Sequence, residues 1–369
     1  MKRIIAILII VTSGGLCFGE DTIGEISYVE GGLQVVRNGK RLTRGVTFGF
    51  DVEQLDQFTT DSSGYAEVNV LPSTGVSGTV KIQPNTSFYF DLSNLREGKG
   101  GTLEMLTGSV GLSVKKLAGR SRMEVRTRGA VMGVRGTTFQ VFIAVNGDIL
   151  VSCEEGKVEC QDETGDVLYA APGRVVERTE DAVFRNIPVA VGDLDEFRKN
   201  WNSEKIEAFK ANTGRVLKYY SERYLELRDK FIEEFGDLLM RRDILDKWMK
   251  EDQEGRIGST AARMREKKAI FGKLADIRKV LFIFEKIYYR VMELYGYYQE
   301  GYGRGLIRPG LSAAGFFNMF QEDRETLLDY MSDVRYVMKL YAKRNEGELP
   351  FDSFSGFADE DDFFGDDSF

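Results

Sequence analysis

No histidine occurs among the 369 residues, so the usual general base and the commonest metal ligand are missing together. Serine, cysteine and zinc hydrolases of ordinary type are excluded on that ground. Carboxylate-pair chemistry, as in glycoside hydrolysis, needs only two Asp or Glu, yet no pair stands apart among the 58 acidic residues. Cys153 and Cys160 flank the turn Glu154-Glu155-Gly156-Lys157. In an oxidising compartment they could form a disulfide; the alternative is two half-buried thiols on adjacent strands, and register decides between them. Gly301-Tyr302-Gly303-Arg304-Gly305 imitates a phosphate loop but follows a helix and lacks the Lys-Ser/Thr ending, so it reads as an interhelical turn. Gly98-Lys99-Gly100-Gly101-Thr102 fails the same spacing test. These residues imply no catalytic centre, no metal site and no cofactor.

Three groups remain as candidates for recognition. Arg135 lies between Gly133 and Gly136 and could present a charge to a partner, although the glycines read more simply as a tight turn. Tyr289, Tyr297 and Tyr302 fall off the apolar stripe of their region and could stack on sugars or on a protein. Phe363 and Phe364 stand in an acidic terminus, where apolar anchors among acids suit a short linear motif.

The elements that position them change character along the chain. Turn signals recur at Asn38-Gly39, Asp61-Ser62-Ser63-Gly64, Pro84-Asn85, Asn146-Gly147, Glu155-Gly156 and Thr164-Gly165. Runs such as Leu33 to Val36, Tyr65 to Leu71, Thr79 to Ile82 and Phe139 to Val145 lie between them, which predicts an all-β region. Pro172 and Pro188 bracket its end, and Asp193 is expected to cap a helix through Phe197 and Trp201.

From there the apolar period becomes 3.5. One stripe runs from Leu217 to Trp248, broken by Glu234 and Arg241; a second, unbroken, from Ile270 to Tyr298; a third, broken by Arg324, from Phe317 to Tyr341. Loops at Glu251 to Ser259 and Gly301 to Gly310 predict an up-down-up antiparallel bundle, elongated as a rod or stalk, since a forty-residue helix spans about 60 Å. Oligomerisation through these helices is a further expectation.

Glu346 to Phe369 holds nine acidic residues and no basic one, so most of the formal charge of −8 resides there and the body is near neutral. No basic patch points to nucleic acid. The terminus itself is too acidic and too poor in aliphatic residues to build a core, which predicts disorder. At the other end, Lys2-Arg3, the apolar run Ile4 to Val11 and small residues up to Gly19 read as a secretory signal peptide, too short to span a membrane. Leu16 spoils a lipobox at Cys17, so cleavage after Gly19 is expected.

Met123 to Val141, MEVRTRGAVMGVRGTTFQV, resembles the core motif of the FecR-domain family, with Val125, Thr127, Ala130, Val131, Gly133, Val134, Arg135, Gly136, Thr137, Phe139 and Val141 on its positions. Gly24 to Leu42, Phe58 to Ala66, Val80 to Phe90, Gly108 to Val110 and Ile149 to Val158 resemble the family's other elements in its order. Roughly residues 24 to 180 are covered. The resemblance implies a compact β-solenoid or rolled sandwich and a protein-interaction role, because in that family the domain is the periplasmic part of a regulator relaying signals from an outer-membrane receptor to a cytoplasmic sigma factor. A sigma-binding segment and a spanning helix are not recognisable in this chain, so only the interaction role carries over.

The resulting expectation is a multidomain all-β plus all-α protein: signal peptide 1–19, FecR-like β domain 20–190 in which Gly129, Gly133, Arg135, Gly136 and Thr137 form the structural motif, helical bundle 191–345, and tail 346–369. Its function is expected to be non-catalytic, with an envelope protein as partner; peptidoglycan binding is the alternative.

Overall fold

Buried and more exposed residues alternate along several strands of the first half, Tyr65–Val70, Met123–Arg126, Ala130–Val134 and Val158–Asp162 among them, as expected for strands with one face on a core. In a computed structural model these residues form two β layers. The structure describes residues 22–74, 76–91, 101–117, 123–134 and 136–345.

The first layer runs β4 (Asp51–Glu53), β1 (Thr22–Glu30), β6 (Tyr65–Val70), β7 (Val76–Ile82), β9 (Gly101–Leu117), β12 (Thr138–Ile143), β13 (Ile149–Glu155), β16 (Arg174–Arg178) and β17 (Phe184–Pro188). The second runs β3 (Lys40–Leu42), β2 (Leu33–Arg37), β5 (Gln57–Thr60), β8 (Ser87–Asp91), β9 again, β10 (Met123–Arg126), β11 (Ala130–Val134), β14 (Val158–Asp162) and β15 (Val167–Ala170). β9 belongs to both: its first half pairs with β8 and β10, and beyond Gly108 it pairs with β12 and β7. Only β9 and β10 run parallel among these pairs. Ile26, Val68, Val80, Leu112 and Val141 from one layer meet Val35, Phe58, Phe88, Met105 and Met132 from the other, all buried.

Asn38 and Gly39 both have positive φ (51° and 77°), the geometry a two-residue hairpin demands, and they join β2 to β3.

Among the described residues five α-helices follow: α1 (Leu194–Ala211), α2 (Thr213–Leu239), α3 (Arg242–Gln253), α4 (Thr260–Gln299) and α5 (Ala313–Arg344). Asp193 precedes α1, but its side chain makes no capping hydrogen bond. The first apolar stripe does not lie on one continuous helix. α2 ends at Leu239, because Arg241, which would sit on the buried stripe, is placed in an exposed turn before α3. The loop after α4 holds a short hairpin of β18 (Leu306–Arg308) and β19 (Leu311–Ser312) that the sequence did not announce. Phe284 stacks on Phe231 while Lys273 pairs with Asp237, so α4 runs antiparallel to α2. Tyr298 packs on Phe317 while Lys267 bonds to Asn345, so α5 runs antiparallel to α4.

The helices expected as a rod or stalk pack against the β region. α4 and α5 lie against the outer face of the second layer, and α1 against that of the first. Leu55, Tyr89, Leu106 and Val145 of the β region belong to the same buried cluster as the helices. At the centre of the α4/α5 contact, Glu285 has no exposed surface; it accepts a hydrogen bond from Tyr89 Oη at 2.9 Å and from Arg335 Nη1 at 2.8 Å. Arg335 also bonds to Gln57, whose amide reaches Tyr289 and, at 3.2 Å, Ser87 Oγ. Lys286 bonds to the Thr127 carbonyl at 3.2 Å and faces Glu104 at 3.6 Å, while Lys339 pairs with Glu53 at 2.6 Å. On the other layer, Arg198 bonds to Ser152 at 2.8 Å and Trp201 donates to Glu177 at 2.7 Å.

Removing one partner of a buried, hydrogen-bonded ion pair leaves an uncompensated charge. Glu285→Ala should therefore cost about 3–5 kcal/mol in denaturant unfolding; a loss below about 1 kcal/mol would show that Arg335 finds water and that the contact is loose. Burial, opposed by Arg335 and Tyr89, pushes the Glu285 carboxyl up to about 7 from 4.5. Between those values the folded chain keeps a proton the unfolded chain has lost, so this group's contribution to stability falls as pH rises from about 4.5 to about 7. Glu285→Gln should remove that part of the pH dependence. An unchanged slope in the variant would assign it to other groups.

Candidate functional site

Met123 to Val141 forms β10, β11 and β12, two strands of the second layer followed by one of the first. Gly133 lies mid-strand on β11, between Glu124 and Glu159, has no positive φ, and a Cβ there would meet only Glu159 Cβ at 4.0 Å. Its glycine is not required by the backbone. Gly136 differs: φ is +65°, and it starts the passage between layers. Thr137 is buried and its carbonyl accepts the Val114 N–H at 2.9 Å. At Gly129 a Cβ would lie 2.8 Å from the Arg178 guanidinium, which pairs with Glu163 and, at 3.6 Å, with Glu180. Arg135 lies outside the described residues, as do Cys17, the signal-peptide region, and Phe363 and Phe364.

The two cysteines are free thiols, not a disulfide. They stand on different layers, Cys153 opposite Phe139 and Cys160 opposite Met132. Burial pushes the Cys153 thiol up to about 11 and that of Cys160 up to about 12, which keeps both protonated and unreactive. Among the described residues, no group of three or more acidic or cysteine side chains is placed to hold a metal.

The tyrosines divide. Tyr289 is 3% exposed and spent on Gln57, so it is part of the contact between β region and helices and not a surface platform. Tyr297 is half-buried against Phe209, with ring centroids 4.9 Å apart. Tyr302 packs on Tyr297, and the Lys210 ammonium lies 5.2 Å from its ring centroid.

Tyr289 and Tyr297 nevertheless border a concavity, a cleft of about 1010 Å³ where the C-terminal half of α4 passes the turns of the β region. One wall is α4, with Met292, Glu293, Gly296 and Glu300; the other is built by the turns at Glu30–Leu33, Thr59–Ser62 and Asn85–Ser87 and by Thr43, Val46 and Thr47. The turns stack because β1, β5 and β7 all end at this corner. Asp61 accepts from the Ser63 N–H at 2.9 Å, which holds its carboxyl below the usual range. Arg290, a buried residue of α4, pairs with Glu293, whose carboxyl burial nonetheless raises. The cleft's charged lining is Glu30, Asp61, Glu293 and Glu300, all acidic. Hydroxyl and amide groups fill most of the remainder. The arrangement can bind and orient; it offers no activated nucleophile.

Compared with known proteins, residues 56–159 match the model of the FecR family, described as FecR protein. The match runs from the end of the β4–β5 turn into β14 and includes the motif above. Two crystal structures of a protein from Parabacteroides distasonis ATCC 8503, provisionally described as an anti-sigma factor and solved at 1.65 and 2.50 Å, are 19% and 20% identical to this chain. Each alignment covers 38% of this chain and 63% or 62% of that one, with a TM-score of 0.32. The chain thus spans less than two thirds of the length of those proteins. No curated protein matches.

The glycine geometry makes a ranking. Gly136→Val should lower stability by about 1–3 kcal/mol, the cost of a β-branched residue at positive φ. Gly133→Val should stay within about 1 kcal/mol, because a strand position with open space suits valine. Thermal unfolding of both variants checks this; the reverse order would mean that β11, not the layer crossing, is the constrained segment.

Proposed function

We propose that this chain is a non-catalytic, exported envelope protein whose FecR-like β region is a protein-interaction or signalling module, held in a fixed setting by the helices that cover it. The observation that carries the reading is the family match over residues 56–159, which includes β5 to β13. In the proposed setting the β region is a solenoid-like or rolled module that presents its turns, and the helical bundle serves as frame and spacer. Export rests on Lys2-Arg3, the apolar run Ile4 to Val11 and the small residues up to Gly19. Among the described residues no helix is long and apolar enough to cross a membrane. The acidic terminus with Phe363 and Phe364 is a second candidate contact, suited to a short linear motif.

A polysaccharide-binding role, with peptidoglycan as ligand, is the second reading. It is favoured by the hydroxyl-rich lining of the cleft and by Tyr297 at its edge. The two readings separate on one experiment. Envelope extract treated or not with a muramidase is passed over the immobilised full chain, and bound material is analysed by mass spectrometry. Recovery of the same protein partner with and without the enzyme is expected. Retention that disappears with the glycan would overturn the protein-interaction reading in favour of the saccharide one.

A further inference from the structure

The cleft between α4 and the β turns has a feature that neither its volume nor its charge discloses. β2 pairs with β5 along Leu33 to Val36, opposite Thr60 to Gln57. On its other side β3 pairs only from Leu42 opposite Val35 to Lys40 opposite Arg37. After Leu42 the chain leaves the sheet, and Thr43, Val46 and Thr47 line the far side of the cleft instead. Among the described residues, Leu33 and Gln34 therefore have a strand neighbour on one side only. In an antiparallel ladder successive residues direct their backbone groups to alternate sides, so one of these two aims its N–H and C=O at the cleft. No backbone bond from residues 43–47 takes them up. A strand edge left open inside a concavity is a template for an added strand.

Three further observations describe the occupant. Glu30, Asp61 and Glu300 carry the charge on both walls, Glu293 being engaged by Arg290, and the lining contains no lysine or arginine. Between the acids lie the apolar side chains of Val29, Leu33, Val46 and Met292. Phe48, next in the chain to the lining residue Thr47, is 77% exposed, a large apolar side chain left at the surface. Finally, Gly296 faces the cleft from the interior of α4, with nothing within 4 Å of where a Cβ would stand. A glycine there costs helix stability, and no described atom lies close enough to require it. Its effect is to keep the wall low.

The geometry points to an extended peptide segment of a partner protein, basic and apolar in alternation, as the ligand of this cleft: it adds a short strand beside Leu33 and Gln34 and extends its lysines or arginines to Glu30, Asp61 and Glu300. Strand addition supplies affinity through the main chain, and alternate side chains supply selectivity. An acidic segment, including this chain's own terminus, is repelled. A nucleic acid is repelled for the same reason.

This inference rests on the protein-interaction reading, and its test is arranged so that the two fail differently. A display library of random twelve-residue peptides is panned on the full chain, and synthetic peptides from the enriched set are titrated by fluorescence anisotropy. Enriched sequences should alternate basic with apolar residues. Their affinity should fall at least tenfold on Gly296→Trp, which fills the cleft from a position free of internal contacts, and equally when alternate peptide bonds of the ligand are N-methylated. Glu30→Gln combined with Glu300→Gln, both solvent-facing, should weaken binding several-fold and flatten its salt dependence. Thermal unfolding of each variant confirms that the fold is retained, and the carboxamide pair keeps the test decisive if the tryptophan is not tolerated.

No enrichment, affinity indifferent to both protein variants, affinity indifferent to N-methylation, or binding lost only when residues 346–369 are removed would each overturn the assignment. Glycan-dependent retention in the muramidase experiment, with peptide binding at the cleft intact, would overturn the proposed function and leave the cleft. A protein partner whose recovery ignores Gly296→Trp would do the opposite.

Discussion

Burial of the Glu285–Arg335 pair against Tyr89 and Gln57 is the constraint on which the rest of this structure depends. Two charges removed from water are tolerable only if every donor and acceptor is matched, and here the matches come from four separate stretches of chain: β5, β8, α4 and α5. The pair thus ties the orientation of both long helices to the register of the second layer. Lys286 with Glu104 and Lys339 with Glu53 extend the same logic along the contact. Apolar burial supplies most of the driving force, through Leu55, Tyr89 and Leu106 against the helices, while the ionic groups select one arrangement among many that would bury similar area.

The consequence for function is geometric. With the helices seated on the second layer, the turns that end β1, β5 and β7 are held opposite the C-terminal half of α4, and the cleft is the gap between them. Were the helices free to swing, no concavity of fixed width would exist there. The β region would then offer its turns as a flat edge. A binding cleft made from two regions of the chain also lets occupancy and the docking of the helices influence each other, because a ligand bridging Glu30 and Glu300 stabilises the closed arrangement.

Much of the local architecture was legible. Asn38-Gly39, Asn146-Gly147, Glu155-Gly156 and Thr164-Gly165 mark turns because only residues tolerant of positive φ can close them, and each glycine in these pairs has it. The heptad stripes identified the buried faces of α2, α4 and α5, since Leu217, Tyr224, Phe231, Ile270, Leu274, Phe284, Phe317 and Met331 all lie inside. What could not be read was the second burial of α4. From Ile283 to Val291 every residue is buried, including Glu285, Lys286 and Arg290. An amphipathic stripe accounts for one face only; a segment covered on all sides belongs between two partners, and in FIFEKIYYRV the charged residues Glu285, Lys286 and Arg290 give the second face the look of a solvated one. Tyr289 looked available because it is off the stripe, and it is off the stripe because it serves the other interface. The cleft was invisible for a different reason. It joins residues near 30, 60, 86 and 296, and no local pattern encodes that meeting.

Hydrogen exchange on the full chain, followed by mass spectrometry, tests the central claim that helices and second layer form one cooperative unit. Amides of residues 283–291 in α4 and 87–91 in β8 should share one opening free energy and be lost together as denaturant is raised. Exchange of the α4 segment at low denaturant, while β8 stays protected, would contradict the account and return the helices to the role of an independent stalk.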